Sequence, residues 1–259
     1  MSSAAEVKAC CAAVYASEAV QWLVGDPLHP GGTALTLRLA RTLGASSGER
    51  VLDVGSGLGT SALAIAAATD VNVVGVDLSA ENVERARARA AEAGVAERVR
   101  FLQGDAEALP LADESVAGAL SECSFCLVPD KPKGAAELAR VLRPGARLAL
   151  ADVSARPAEL PETLRTLTAW TACLADARPL GDLASLLEDA GLTVHGIEKH
   201  DDALTELVDR IESRLHLASS LGSRLPERLR EGAERGLELV SMLRPALQAG
   251  LVGYGAVYA

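Results

Sequence analysis

The hydrophobic positions between residues 50 and 152 fall into short apolar runs separated by segments rich in Ala, Arg and Glu. The runs have the length and β-branched content of buried strands, and the segments between them have the composition of helices. This alternation is typical of βαβ units, so we expect an α/β fold with a doubly wound, mostly parallel sheet. The pattern predicts strands at 50–54, 72–76, 98–103, 116–121 and 146–152, with helices at 59–68, 80–92 and 132–142.

The chain on either side of this region follows a different pattern. Residues 1–45 read as helical, with a breaker run at 26–32, which predicts an N-terminal helical cap in front of a domain spanning 46–259. Apolar positions at helical spacing between about 202 and 248 predict a helical insertion before the last strand. The other predicted elements are helices near 161–176 and 181–190 and strands near 192–199 and 251–258.

The composition restricts the classes of partner. The 259 residues carry a formal net charge of −10, which argues against a nucleic acid as the main partner because phosphate binding needs clustered Lys and Arg. No apolar run reaches the ~18 residues of a membrane span, and the first residues, with Glu6 and Lys8, do not resemble a signal peptide. We therefore expect a cytoplasmic protein that binds a small molecule or metalloid and no membrane. The sequence does not indicate an oligomeric state.

A glycine-rich loop and a series of acids mark the predicted ligand site. In the run Val51–Thr60, which leads from a strand into a helix, three alternate glycines let the backbone turn sharply and approach a ligand. Asp53 lies in that strand, and Asp77 and Asp105 end the next two strands. Acids at one sheet edge suit a ligand with a sulfonium, an ammonium and a ribose better than the pyrophosphate of a dinucleotide.

These residues resemble the class I S-adenosylmethionine-dependent methyltransferases, which have a Rossmann-like fold. The matching segments are Val51–Gly59, Val76–Ser79, Gly104–Glu107, Leu109–Ser115 and Arg140–Gly145, within roughly residues 45–153. Ser56 departs from the family pattern, which often has Cys or Gly there, and Ala117 stands where Asp is common. A protein that binds a nicotinamide dinucleotide is the alternative.

The resemblance implies S-adenosylmethionine as the cofactor. It implies that the glycine loop surrounds the methionine moiety, that Asp77 binds the ribose, and that Asp105 and Ala106 contact the adenine. The cofactor-binding residues predicted in this way are Asp53, Gly55, Ser56, Gly57, Gly59, Asp77, Leu78, Asp105, Ala106 and Glu122.

Five cysteines form a second group of candidate residues. Cys123 and Cys126 follow the fourth predicted strand, on the side where the methyl acceptor is expected. Cys173 falls in a predicted helix over the site, and Cys10 and Cys11 are in the N-terminal cap. In a cytoplasmic protein we expect thiols rather than structural disulfides. The Cys-x-x-Cys spacing also fits zinc or redox chemistry, and ordinary buried cysteines are a further interpretation.

The segment around Cys123 resembles the arsenite methyltransferases, which also have a Cys followed by Leu-x-Pro-Asp-Lys. The resemblance implies that Cys123 and Cys173 bind trivalent arsenic, a soft ion that thiolates coordinate, with Cys126, Cys10 and Cys11 as further candidate catalytic residues. The lone pair of arsenic would then attack the methyl group, and positioning would supply most of the catalysis. Glu122 and Cys126 stand where those enzymes usually have Asn.

Two other functions fit the same residues. One is methylation of an organic O, N, C or S nucleophile, with His29 or Glu122 as the base. The other is a non-catalytic protein that binds the cofactor or a metal. The sequence favours methyl transfer to thiol-bound arsenic as the first hypothesis and keeps both alternatives open.

Overall fold

The computed structural model describes residues 8, 15, 17–165, 174, 176–221 and 227–259. Within these ranges the strands are β1 Arg50–Val54, β2 Asn72–Asp77, β3 Val99–Gln103, β4 Val116–Glu122, β5 Leu142–Ala155, β6 Gly196–Lys199 and β7 Val252–Tyr258. The helices are α1 Glu18–Val24, α2 Gly32–Thr42, α3 Thr60–Ala68, α4 Ala80–Glu92, α5 Lys131–Val141, α6 Leu180–Asp189, α7 Asp201–Ser220 and α8 Glu227–Gln248.

The strands form one sheet in the order β3-β2-β1-β4-β5-β7-β6. Strands β1 to β5 pair in parallel, whereas β7 pairs antiparallel with both β5 and β6. Helices α2, α3, α4, α7 and α8 contribute to the core on one face of the sheet, and α5 and α6 contribute to the core on the other. This arrangement confirms the predicted doubly wound, mostly parallel α/β fold.

The central strands are buried on both faces, as the apolar runs of a parallel sheet require. All residues of β4 are buried. The packing of β3 side chains on β2 depends on Gly75, where a Cβ would lie 2.5 Å from the Phe101 ring. Helix α4 begins after Ser79, whose hydroxyl accepts a hydrogen bond from the Asn82 amide. Because β1, β2 and β4 are parallel neighbours, their carboxyl ends meet at one edge of the sheet.

Some elements differ from the sequence-based predictions. Strand β5 begins at Leu142, inside the predicted helix 132–142, because Leu142 pairs with Val116 before a register shift aligns Gly118 with Arg147. Strand β6 is shorter than the predicted strand 192–199. The predicted helix 161–176 lies largely outside the described residues, and its described start, Glu162–Arg165, is a 3₁₀ helix.

Helices α1 and α2 lie in the segment predicted as an N-terminal cap, and α7 and α8 lie between β6 and β7, where the insertion is predicted. Arg214 on α7 donates hydrogen bonds to the carbonyl oxygens of Trp22 (2.7 Å) and Leu23 (2.9 Å) on α1. The division of the chain into domains at residue 45 stays a prediction. None of the helices in the described ranges is long and apolar enough to cross a bilayer.

Candidate active site

A pocket opens at the carboxyl ends of β1, β2 and β4, beside the glycine loop. Nine of the ten predicted cofactor-binding residues line it: Asp53, Gly55, Ser56, Gly57, Asp77, Leu78, Asp105, Ala106 and Glu122. The structure does not bring Gly59 to the pocket wall. Instead Gly59 starts helix α3 with a φ of 78°, and a Cβ there would lie 2.5 Å from the Phe101 ring. Its role in the structure is therefore close packing beneath the loop.

The glycine loop has little space on one side and open space on the other. A Cβ at Gly55 would collide with the Cβ of Ser124, so the loop passes against the segment that follows β4. At Gly57, by contrast, no atom of the described residues lies within 4 Å of the place that a Cβ would occupy. Both glycines have positive φ values, 73° and 51°, which a residue with a side chain rarely adopts. The loop is shaped to leave room beside Gly57.

Asp77 holds the loop and the following helix in place. Its Oδ2 accepts a hydrogen bond from the Gly57 amide at 2.8 Å, and its Oδ1 accepts bonds from the Ser79 amide at 2.9 Å and the Asn82 side chain at 3.2 Å. Burial raises the pKa of the Asp77 carboxyl, although these three donors oppose the rise. The acid that ends β2 is thus fixed at the rim of the pocket.

One end of the pocket contains an ion-pair cluster formed by Lys8, Asp105 and Glu107. Lys8 Nζ lies 2.7 Å from an oxygen of Asp105 and 2.7 Å from an oxygen of Glu107. Desolvation disfavours the charged form of Asp105, but the hydrogen bonds from Lys8 and from the Glu107 amide outweigh it and lower the pKa of the carboxyl. Asp105 is therefore an ionised acceptor at the end of the pocket where the resemblance places the adenine.

A buried polar cluster occupies the other end of the pocket. The Glu122 carboxylate, at the end of β4, accepts hydrogen bonds from Ser61 Oγ at 2.8 Å and Thr36 Oγ1 at 2.9 Å. His29 Nε2 lies 3.2 Å from Ser61 Oγ, and His29 Nδ1 lies 3.1 Å from the Pro30 carbonyl oxygen and 3.6 Å from Glu122 Oε1. Three elements, α2, α3 and β4, and the segment before α2 contribute to this cluster.

The segment 26–29, which we call the strap, closes one side of the pocket. Asp26 in the strap pairs with Arg89 of α4 at 2.6 Å and accepts a hydrogen bond from Thr60. Arg89 also donates to the Leu58 carbonyl oxygen at 3.1 Å. The strap, the glycine loop and two helices are therefore tied together through one guanidinium group.

The structure separates the two described cysteines. Cys123 lines the pocket and has a φ of 53°, an uncommon backbone conformation for a residue with a side chain. Cys126 is only 4% exposed and lies in a 3₁₀ turn that directs it into the core rather than to the pocket wall. Cys10, Cys11 and Cys173 lie outside the described residues. Among the residues that are described, no group of three His, Cys, Asp or Glu residues is placed to hold a metal ion.

Lys131 fixes the turn that follows β4. Its side chain is 6% exposed, and its Nζ donates to the carbonyl oxygens of Cys126 and Val128, both at 3.1 Å, and pairs with Asp176. We expect Lys131→Met to lower the free energy of unfolding by about 2 kcal/mol, because these acceptors lose a charged donor. Urea denaturation measures this change. Lys133→Met, an exposed lysine two residues further along α5, is the matched control and should change stability little.

Sequence reasoning missed Lys8, Thr36 and Ser61. Ser61 lies in a helix whose apolar spacing gives no sign of a site. The sequence signal for Thr36 is its helical spacing with Leu35 and Leu39, which places a hydroxyl on the apolar face of α2. In the structure Thr36 is fully buried there. A buried hydroxyl on such a face needs a polar partner, and here that partner is Glu122.

The pocket wall fits the groups of S-adenosylmethionine. Three buried polar atoms on it have no hydrogen-bond partner among the described residues: Asp53 Oδ2, Ser56 Oγ and Asn82 Oδ1. An ammonium and ribose hydroxyls are donors that such acceptors can use. The open space at Gly57 and the acids at both ends fit the same cation. A pyrophosphate would instead need donors where these acceptors lie.

Comparisons with known proteins agree with this fit. A family model described as a methyltransferase domain matches residues 45–210. The O-methyltransferase cnsE of Penicillium expansum is 34% identical over 219 residues, which are 82% of this chain and 78% of that protein. The arsenite methyltransferase of Halobacterium salinarum is 35% identical over 189 residues, which are 70% of this chain and 48% of that protein. The chain spans 46–61% of the length of three of its curated relatives.

A solved structure shares the fold. Phosphoethanolamine N-methyltransferase 2 of Haemonchus contortus, in complex with S-adenosyl-L-methionine, matches with a TM-score of 0.77 and 20% sequence identity over 93% of this chain and 55% of that chain. The family match includes the glycine loop and the acids of the pocket, and it covers more than half of the chain. The predicted cofactor, S-adenosylmethionine, is confirmed as that of the family. The chain therefore belongs to the class I S-adenosylmethionine-dependent methyltransferases.

Proposed function

We propose that this chain transfers a methyl group to a hydroxyl oxygen of a small organic acceptor and that the Glu122 cluster takes up the hydroxyl proton. Bound S-adenosylmethionine supplies an electrophilic methyl group on a sulfonium centre. Asp77 and Asn82 would hold its ribose, Asp105 its adenine, and Asp53 its ammonium. The observation that carries the proposal is the cluster of Glu122, His29, Ser61 and Thr36 at the acceptor end of the pocket, whose members are all at least partly buried.

The cluster can gain a proton without moving its heavy atoms. Before uptake, both hydroxyls donate to Glu122, His29 Nδ1 donates to the Pro30 carbonyl oxygen, and the 3.2 Å contact between His29 Nε2 and Ser61 Oγ has no hydrogen. After uptake, the proton lies on His29 Nε2, which donates to Ser61 Oγ, and the other three hydrogen bonds are unchanged. The added proton supplies the one contact that lacked a hydrogen, and the heavy atoms keep their positions. A cluster of this kind fits a reaction that releases a proton from the acceptor.

The relatives support an organic acceptor more than a metalloid. Of the two curated relatives compared above, the one that matches over the larger share of this chain, 82%, is named an O-methyltransferase. A lone-pair attack by arsenic releases no proton, so the buried proton-accepting cluster would have no task in that reaction. Glu122 also stands where the arsenite methyltransferases usually have Asn.

Methylation of arsenite is the second candidate. It is favoured by the position of Cys123 on the pocket wall and by the arsenite methyltransferase of Halobacterium salinarum among the relatives. In that reaction Cys123 and Cys173 would bind trivalent arsenic. For both candidate functions we also propose that the partner is not a nucleic acid and that the protein is cytoplasmic.

A methyl-transfer screen with deuterium-labelled cofactor and mass spectrometry tests the proposal. The panel contains phenols, catechols, aliphatic alcohols, amines, thiols, and arsenite with glutathione. We expect a labelled methyl ether from at least one hydroxyl acceptor and an unchanged rate in Cys123→Ser. Methylated arsenic with no methyl ether, together with loss of that activity in Cys123→Ser, would establish the second candidate instead. Tight cofactor binding with no methylated product would favour a binding protein.

A further inference from the structure

Three carboxyl groups meet beneath the glycine loop, and they differ in their hydrogen bonds. Asp77 accepts three hydrogen bonds, and Glu122 accepts two from side-chain hydroxyls. Asp53 accepts one, from the Ala62 amide, and its Oδ2 has no partner in the part of the chain that the structure describes. Hydrogen bonds to a carboxylate stabilise its charged form. Of the three groups, Asp53 is therefore the least able to stay ionised.

The surroundings of Asp53 offer no compensating charge. The residue is 2% exposed. The titratable groups near it are Asp77 at the end of β2, Glu122 at the end of β4, and His29 in the strap, which contacts Glu122. Helix α3 packs against Asp53 and contributes the backbone amide of Ala62, which donates a hydrogen bond to the carboxyl. No ion pair within the described ranges includes Asp53. A buried carboxyl beside two others and without a cation tends to become neutral.

The direction of titration follows from these contacts. Burial, followed by the charges of Glu122 and Asp77, raises the pKa of Asp53 to about 8, while the Ala62 hydrogen bond acts in the opposite direction. At neutral pH the protonated form prevails. Asp53 is one of the residues that line the pocket, so a ligand cation bound there would stabilise the charged form of the carboxyl.

We propose that Asp53 carries a proton when no ligand is bound and releases it to the solvent when a ligand bearing an ammonium group enters the pocket. The O–H bond of the carboxyl breaks, the proton passes to the buffer, and the resulting carboxylate pairs with the ammonium. No electrons are transferred and no other reactant is needed. The inference concerns cofactor binding and does not depend on the identity of the methyl acceptor.

Isothermal titration calorimetry tests proton release directly. S-adenosylhomocysteine is titrated into the protein at pH 7 in buffers that differ in ionisation enthalpy, and the slope of the observed enthalpy gives the number of protons released. We expect about one proton for the wild-type protein, since a group with a pKa of about 8 is mostly protonated at pH 7. 5′-Methylthioadenosine, which has the adenosine and the sulfur but no ammonium, should release none.

Variants assign the proton to one carboxyl. Asp53→Asn keeps the size of the side chain and cannot titrate, so its proton release should be lost. Asp77→Asn and Glu122→Gln should still release protons on binding, although fewer than the wild type, because each variant removes one of the charges that raise the pKa of Asp53. The proposal is overturned by a wild-type protein that releases no proton, by release that persists in Asp53→Asn, or by release that disappears in Glu122→Gln and not in Asp53→Asn.

A measurement without ligand provides a second test. The pKa of Asp53 is higher in the folded chain than its ordinary value of 3.8, so the folded state binds more protons between about pH 4 and pH 8. The free energy of unfolding should therefore fall as the pH rises through this range. Asp53→Asn lacks this contribution, so its urea midpoint should rise relative to the wild type between pH 5 and pH 8. A difference that does not change with pH would overturn the proposal.

Discussion

Replacing Asp77 by alanine is expected to weaken the binding of S-adenosylmethionine by roughly a hundredfold or more. The change removes the acceptor that anchors the Gly57 amide at 2.8 Å, and it removes the acceptor offered to the ribose. Each hydrogen bond to a charged group contributes about 1.5–3 kcal/mol, so the loss of two accounts for this factor. Calorimetric titration gives the dissociation constant, and the cofactor-induced rise in melting temperature should largely disappear as well.

Asp70→Ala is the matched control for this experiment. Asp70 is an exposed carboxylate just before β2, at the opposite end of the strand from Asp77. The Asp70→Ala variant should bind the cofactor with wild-type affinity. If Asp77→Ala bound S-adenosylmethionine within about threefold of the wild type, the assignment of Asp77 to the cofactor site would be wrong.

Glu122→Gln is expected to lower kcat for a hydroxyl acceptor by at least about a hundredfold, in line with the usual contribution of a general base. Glutamine can still accept the hydrogen bonds of Ser61 and Thr36, so the cluster keeps its shape. Its neutral amide cannot stabilise the positive charge that His29 gains when the cluster takes up a proton. The cofactor dissociation constant should change only a few fold, and the rate measured at saturating acceptor reports the loss.

The acidity of the acceptor separates a chemical role of Glu122 from a structural one. A phenol that is already ionised at the pH of the assay needs no base, so it should recover much of the activity of Glu122→Gln. Ordinary phenols should show the full deficit. An equal deficit for acidic and ordinary phenols would mean that Glu122 supports the structure of the site and takes no part in proton uptake.

The sheet could be predicted from the sequence because its signals are local. Strands β1 to β4 are continuous apolar runs separated by helices with clear starts, and the structure places them within two residues of the predicted ends. The start of β5 could not be predicted in this way. Pro144 and Gly145 indicate a loop, but the pairing of Leu142 with Val116 across a register shift draws this segment into the sheet.

Most of the residues that line the pocket beside the glycine loop could also be predicted from the sequence. An acid at the carboxyl end of a parallel strand must lie at the ligand-binding edge, whatever the details of packing. The Glu122 cluster, by contrast, depends on tertiary contacts. Thr36 and Ser61 come from different helices that meet only when α2 and α3 pack on the sheet. The spacing of Cys123 and Cys126 gives no hint that a 3₁₀ turn buries the second thiol.

The helices α7 and α8 leave the sheet at β6 and return to it at β7, and these two strands are antiparallel neighbours. A helical insertion between two adjacent strands can change its length or sequence without altering the order of the other strands. Helix α7 contacts α1, which leads into the strap, and the strap lines the pocket. Changes in the insertion can therefore affect the pocket through α1 and the strap. This architecture would let evolution or protein engineering change the strap side of the pocket while the glycine loop and its acids stay intact.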